Sequence, residues 1–151
     1  MFLEDMRLAV FITLLLAGAA LTGCSTYKTS VEPGKDLAGY KRVWVKRNMD
    51  DNHGLGGFIT AALDALGYEA GAGPLTMMPP RTQLIVQYRD SWTWDFKDHM
   101  TALEITVLDA RTEQQIARAD YGNPASMSRH PSEVAERLVK QLFAPPAAEK
   151  K

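Results

Sequence analysis

The chain has 151 residues and nearly balanced charge, with 17 Lys and Arg against 18 Asp and Glu and a formal net charge of −1. The length favours one domain, and the balanced charge excludes the strongly basic surface that nucleic acids require. Cys24 is the single cysteine, so no disulfide can form within the chain.

The first 23 residues predict an export signal. Residues 8–16 form an uninterrupted apolar run, and small residues follow it. A spanning helix needs about 20 apolar residues, so the run is too short to cross a membrane. Glu4 and Asp5 lie where such a signal is normally basic, which favours Met6 over Met1 as the true start.

Leu21, Thr22, Gly23 and Cys24 complete this segment, which resembles the lipobox of bacterial lipoproteins. The resemblance implies that the Cys24 thiol receives a diacylglyceryl group and that a signal peptidase cuts between Gly23 and Cys24. Ser25 at the next position implies an outer-membrane protein facing the periplasm. The alternative is an ordinary signal peptide that contains a cysteine by chance.

The next segment, residues 24–37, is polar and contains Pro33 and Gly34, which predicts a flexible tether. A single domain is expected over 38–144, with a disordered tail over 145–151. Its first elements are a strand at 42–47, a turn-rich loop, a helix and a short strand at 68–72. The helix is indicated by apolar residues at helical spacing, and Gly67 ends it. These apolar residues are Phe58, Ile59, Ala62, Leu63 and Leu66.

Residues 84–96 alternate between apolar and polar side chains, which predicts a half-buried strand with a bend near Asp90. Further strands are expected around 103–107 and 115–121, followed by a second helix capped by Ser132. The predicted fold is α+β, with a mostly antiparallel sheet of four or five strands and two helices packed on one face. Along each strand, alternate residues should then face the core, and the residues between them should lie on the open face. The core set is Val86, Tyr88, Leu103, Ile105 and Val107, and the open set is Gln87, Arg89, Thr93, Glu104, Thr106, Arg118 and Asp120.

A second resemblance rests on three segments: YRDSWTWD at 88–95, LDART at 108–112, and a closing helix ending at Leu142 and Phe143. Together they resemble small outer-membrane lipoproteins of unknown function with a TolB N-terminal-like α+β domain. The resemblance covers about residues 40–143. It implies the fold and the compartment, and it transfers no catalytic residue.

No pattern indicates catalysis, a cofactor or a metal. His53, His99 and His130 are isolated in sequence, which favours surface or turn histidines over zinc ligands. The polar loop at 50–53 and the glycines at 54–57 resemble calcium and phosphate loops only faintly, and turns explain them better. The aromatic cluster of Tyr88, Trp92, Trp94 and Phe96 is either core, which strand parity favours, or an exposed contact surface.

We therefore expect a non-enzymatic lipoprotein, anchored to the membrane through Cys24, that binds or stabilises a protein partner of the envelope. One alternative is an accessory lipoprotein subunit of an envelope transport system. Another is a ligand-binding module that uses the aromatic cluster. Neither nucleic acid nor a cofactor is an expected partner.

Overall fold

The computed structural model describes residues 24–123 and 129–144. In chain order these form β1 (Thr26–Val31), β2 (Arg42–Lys46), α1 (Leu55–Ala65), β3 (Glu69–Gly73), β4 (Leu84–Trp94), β5 (Asp98–Asp109), β6 (Gln115–Gly122) and α2 (Pro131–Phe143). The expected signal peptide, including Leu21, Thr22 and Gly23, and the expected tail over 145–151 lie outside the described residues.

The strands form one six-stranded sheet in the order β1-β6-β5-β4-β2-β3. The α+β class with two helices is confirmed, but the prediction of four or five mostly antiparallel strands needs correction. Strand β2 pairs in parallel with both β3 and β4, and the other pairings are antiparallel. The parallel pair β2–β3 follows from α1, because a helical crossover returns the chain to the end of the sheet where β2 began.

The expected tether over 24–37 is wrong for its central part, which forms β1 at one edge of the sheet. Strand β1 pairs with β6 from Thr26↔Gly122 to Val31↔Ala117. Tyr27 adds side-chain contacts, with its ring centroid 5.0 Å from that of Tyr121 and the Arg137 guanidinium carbon 3.8 Å above it. Five of the six residues of β1 are exposed, so its sequence lacks the apolar alternation that identifies a half-buried strand.

Both helices pack on one face of the sheet, and the parity prediction for the core is confirmed. Helix α1 contacts β2, β3 and α2, while α2 contacts β1, β5 and β6. Ile105 and Val107 are fully buried on this face. Other core side chains of the sheet include Val43, Val45, Leu84, Val86, Tyr88, Leu103, Ala117, Ala119 and Tyr121.

The opposite face carries polar side chains over its central strands, as predicted. Arg118 donates hydrogen bonds to Asp120 on the same strand and to Glu104 on β5. These carboxylates raise the pKa of Arg118. The face is not open throughout, however, because Trp44 and Ile85 are buried although they alternate with core residues. The indole of Trp44 lies against Gly71 and Gly73 of β3, where an added Cβ would meet the ring at 2.7 and 3.0 Å.

Candidate functional site

One end of the sheet gathers the groups that the fold does not bury, and we call it the hairpin end. It comprises residues 24–25, the β2–α1 loop at 47–54, the β4–β5 hairpin at 92–100, and residues 129–130 before α2. Strands β2, β4 and β6 run toward this end, and both helices begin there. The hairpin continues past the first residue of β1 and the last residue of β6, which pair with each other at the level of Ala102.

The hairpin divides the aromatic cluster, so the core interpretation is wrong for two of its four members. Tyr88 is buried and Trp92 is half-buried, whereas Trp94 and Phe96 are 71% and 92% exposed. An extra residue on β5, opposite Ser91 and Trp92, shifts the register at the point where the hairpin leaves the sheet. Beyond that point no described helix covers the face, so the alternating pattern continues without burial.

The tip of the hairpin is formed by Asp95, Phe96 and Lys97, where the Asp95 amide donates to the Lys97 carbonyl. Phe96 has a φ of 59°, in the left-handed region. A side chain with a Cβ costs about 1–2 kcal/mol in that region, so glycine or asparagine is usual at such a position. The Trp94 and Phe96 rings lie 6.1 Å apart between centroids. The chain thus presents two adjacent, exposed aromatic rings at this turn.

Asp51 holds the β2–α1 loop against the sheet. Its carboxylate accepts hydrogen bonds from the backbone amides of His53, Leu55 and Gly56, and from the Tyr88 hydroxyl at 2.8 Å. Gly54, the N-cap residue of α1, offers no side chain, so Asp51 satisfies the first amides of the helix instead.

These contacts shift two pKa values in opposite directions. Burial alone would raise the pKa of Asp51, but the hydrogen bonds from Gly56, Tyr88, Leu55 and His53 outweigh burial and lower it. Burial, together with the bond to Asp51, raises the pKa of Tyr88 to about 12. Asp51 and Tyr88 therefore form a fixed acceptor–donor pair at neutral pH.

His53 connects this loop to the hairpin. Its ring stacks on Trp92 with 3.5 Å between centroids and 13° between planes. Its Nε2 lies 3.3 Å from Asp98 Oδ2, and Trp92 Nε1 donates to Asp90. The base of the hairpin is thus braced from both sides, while Trp94 and Phe96 project beyond the brace.

The other two histidines have different roles. His130 is the N-cap of α2, accepting from the Ser132 amide and lying 2.6 Å from the Ser132 hydroxyl, so the prediction that Ser132 caps this helix is wrong. Pro131 occupies the first turn, where its missing N–H costs nothing. His99 is only 7% exposed, which corrects the expectation of a surface histidine.

Two open grooves flank the hairpin. One, of about 510 Å³, lies on the side of Lys46, Arg47, Met49 and Arg89. The other, of about 440 Å³, is lined by Phe58, Trp92, Met100 and His130 among others.

Among residues 24–123 and 129–144 no group of three His, Cys, Asp or Glu side chains is placed to hold a metal ion. No helix in these ranges is long and apolar enough to cross a membrane.

Cys24, the predicted site of lipid attachment, is an exposed free thiol. Ser25 alone separates it from β1, whose first residue pairs with Gly122 at the hairpin end. The sequence pointed to Cys24 and the aromatic cluster as candidates, but it did not indicate that Asp51 bonds Tyr88 or that His53 contacts Trp92 and Asp98. Such pairs lie 37 to 45 residues apart, and no fixed spacing signals a contact made across a sheet.

Comparisons with known proteins give fold likeness alone. No protein-family model matches the sequence, and no curated protein matches it either. A dodecamer of a PelC variant from Paraburkholderia phytofirmans is 15% identical, with a TM-score of 0.54 over 84% of this chain and 100% of that chain. A second PelC dodecamer from that organism is 13% identical, with a TM-score of 0.53 over 79% of this chain and 94% of that chain.

A third similar structure is a DUF4136 family protein from Bacteroides thetaiotaomicron. It is 7% identical, with a TM-score of 0.50 over 78% of this chain and 92% of that chain. Since all three identities are low, the likeness establishes a shared architecture of sheet and helices. It carries no residue roles from those proteins to this one.

Proposed function

We propose that this protein is an outer-membrane lipoprotein, anchored through Cys24 and facing the periplasm, which binds an envelope partner without catalysing a reaction. The observation that carries the proposal is the lipobox-like segment ending at Cys24. The exposed thiol at the start of the folded domain is consistent with it, because a modifying enzyme can reach such a residue. Several acyl chains, each adding about 0.8 kcal/mol per buried CH₂, would make the anchor stable.

A binding role is supported by the contacts of two polar side chains at the hairpin end. Asp51 bonds α1 and Tyr88, and His130 caps α2, so each already serves the fold. The surface left for a partner consists of the polar sheet face around Arg89 and the exposed hairpin. The partner class we propose is a protein of the cell envelope.

The anchor is tested by replacing Cys24 with Ala in cells supplied with labelled palmitate. We expect the label in the wild-type protein, and none in the variant, which should persist as an uncleaved precursor. Replacing Ser25 with Ala is the matched control and should leave labelling intact. Label in Cys24→Ala would contradict the anchor. The start is tested separately, since removing the Met6 codon should stop export if translation begins there.

A second copy of this chain is one candidate partner, because two structures with this fold are dodecamers. In the sheet of the described residues, β1 and β3 are the edge strands, and each has a side to which no other described strand is paired. Light scattering on the protein purified in detergent would give its mass. A mass of several chains supports self-association, and a mass of one chain directs the search to a different protein.

A second candidate function, ligand binding, is favoured by the groove beside Trp92. Phe58, Trp92 and His53 line it, and flat rings suit sugars or peptides. Titration of the protein with envelope oligosaccharides, followed by Trp fluorescence, tests this. A saturable change that Trp92→Phe removes would support it.

A further inference from the structure

Three of the six exposed large apolar side chains of the described residues lie at the hairpin end. Phe96, Met49 and Trp94 are 92%, 84% and 71% exposed, more than any other large apolar residue described. Phe96 lies in the hairpin tip and Trp94 is the last residue of β4 before it. Met49 lies in the β2–α1 loop and lines the same groove as Trp92. Large apolar groups clustered on one exposed surface usually mark a site of interaction.

Strand register places Cys24 at the same end. Thr26 pairs with Gly122, Gly122 with Ala102, and Ala102 with Ser91. Strands β1 and β5 run in the same direction, so the chain before Thr26 leaves the sheet toward the hairpin tip. Three strand spacings separate β1 from β4, a lateral distance of ~14 Å, and Trp94 lies ~10 Å beyond the level of Ser91.

The absence of a long tether makes this arrangement consequential. Because β1 begins at Thr26, a lipid on Cys24 would be joined to the folded domain through Ser25 alone. The bilayer surface would then lie against the hairpin end, and the tip, which extends past the level of Ser91, would project toward it. A tether over the whole of 24–37 would have left the orientation free.

We propose that the tip of the β4–β5 hairpin, with Trp94 and Phe96, inserts into the headgroup region of the phospholipid bilayer that holds the lipid on Cys24. The inference rests on the proposed anchor for its orientation. The chemistry suits the occupant, since Trp favours the membrane–water interface, where its ring is apolar and its N–H is hydrated. Asp95, Lys97 and Asp98 carry mixed charge, so the contact should depend on apolar burial and change little with salt.

The test uses the full lipidated protein in phosphatidylcholine vesicles containing lipids brominated either near the headgroup or near the chain end. Bromine quenches Trp fluorescence only at close range. We expect the shallow brominated lipid to quench the wild-type protein more than the deep one. Trp94→Phe should lose most of this quenching, and Trp92→Phe, whose ring is stacked under His53, should retain it.

A Trp at the opposite end of the sheet is the matched control. Arg111 lies exposed in the β5–β6 turn, so Arg111→Trp in the Trp94→Phe chain should not restore quenching. Quenching that survives Trp94→Phe, or that Arg111→Trp restores, would overturn the proposed contact.

Flotation of the vesicles separates this proposal from the anchor. If the lipidated chain floats with the vesicles and Trp94 is not quenched, the hairpin contact is wrong and the anchor stands; a tip engaged by a protein instead would give this result. If mass spectrometry finds no lipid on Cys24 and Trp94-dependent quenching persists, the hairpin contact is supported and the anchor is wrong.

Discussion

Between Leu84 and Tyr88, strand β4 lies under the two helices, whereas from Trp92 onward the same strand continues beyond them. Leu84 and Val86 are fully buried, while Trp94 is 71% exposed, although the three share one strand parity. This difference in exposure arises from the layer of two helices that packs on the sheet. On this face the helices cover the side chains of β4 up to Tyr88, and no described helix covers Trp94.

The comparison assigns different roles to the two regions. The helix-covered part of the sheet should set the stability of the domain. The hairpin should contribute little to stability and be available for contact outside the protein. Variants in each region therefore test the assignment, and their expected effects differ in size.

The largest effect is expected from Ile105→Ala, which leaves a cavity in the helix-covered core. Ile105 is fully buried, and such truncations cost about 2–5 kcal/mol of unfolding free energy. Urea unfolding measures this cost. Thr106→Ala is the matched control on the other face of β5, where the cost should stay below about 1 kcal/mol. Equal losses for the two variants would show that the faces of β5 are assigned the wrong way round.

Asp51→Asn should have the next largest effect, because it weakens the bonds that cap α1 and hold Tyr88. We expect a loss of about 0.5–2 kcal/mol at neutral pH, the usual range for a helix cap. Asp50→Asn is the control, since Asp50 is exposed beside it and no hydrogen bond of its side chain is among the contacts described. A loss as large in Asp50→Asn would count against this role for Asp51.

The Asp51 contribution should also depend on pH. Burial raises its pKa, but the hydrogen bonds lower it more, so the folded-state pKa lies below the ordinary value of 3.8. The stabilisation is then fully present above that ordinary value and is lost as the pH falls through the folded-state pKa. Urea unfolding of the wild-type protein and of Asp51→Asn should show that the difference between their unfolding free energies narrows as the pH falls. A difference that widens in acid would contradict the direction of the shift.

A smaller effect is expected from Arg89→Ala on the polar face of β4. Arg89 is exposed, so the change should alter stability by less than about 0.5 kcal/mol. If this face docks the proposed partner, the variant should recover less of that partner in a crosslinking pull-down while its urea midpoint is unchanged. Unchanged recovery would exclude Arg89 from the docking surface.

The smallest effect on stability is expected from Trp94→Ala at the hairpin tip. Its ring contacts Phe96 and is otherwise exposed. The unfolding free energy, measured by urea unfolding, should therefore change by less than about 0.5 kcal/mol. Ile105→Ala is its comparison. A loss near that of Ile105→Ala would mean that the hairpin belongs to the core.

The sequence predicted those elements whose pattern arises from local periodicity. The stripe through Ile59 and Leu63 located α1, and the alternation through Ile105 and Val107 located both β5 and its buried face. Strand β1 was missed because edge pairing depends on the backbone of β6, 96 residues away at Thr26↔Gly122, and because its side chains are mostly exposed. The sequence prediction therefore failed for β1, whose structure depends on a contact between residues far apart in the chain.

The candidate site was predicted less well for a related reason. Alternation showed which face Trp94 and Phe96 share with Leu84, but it could not show that no described helix covers them. The stack of His53 on Trp92 depends on a loop folding back over the sheet. The role of Cys24 stays a prediction, which rests on a signal contiguous with the apolar run before it.

Native-state hydrogen exchange tests the division between the two regions most directly, because one experiment reports on every backbone amide. The account predicts that amides of 103–107 in β5 exchange only through global unfolding, while those of 93–97 exchange much faster through local opening of the hairpin. Equal protection in the two segments would show that the hairpin unfolds with the core, and it would contradict the account.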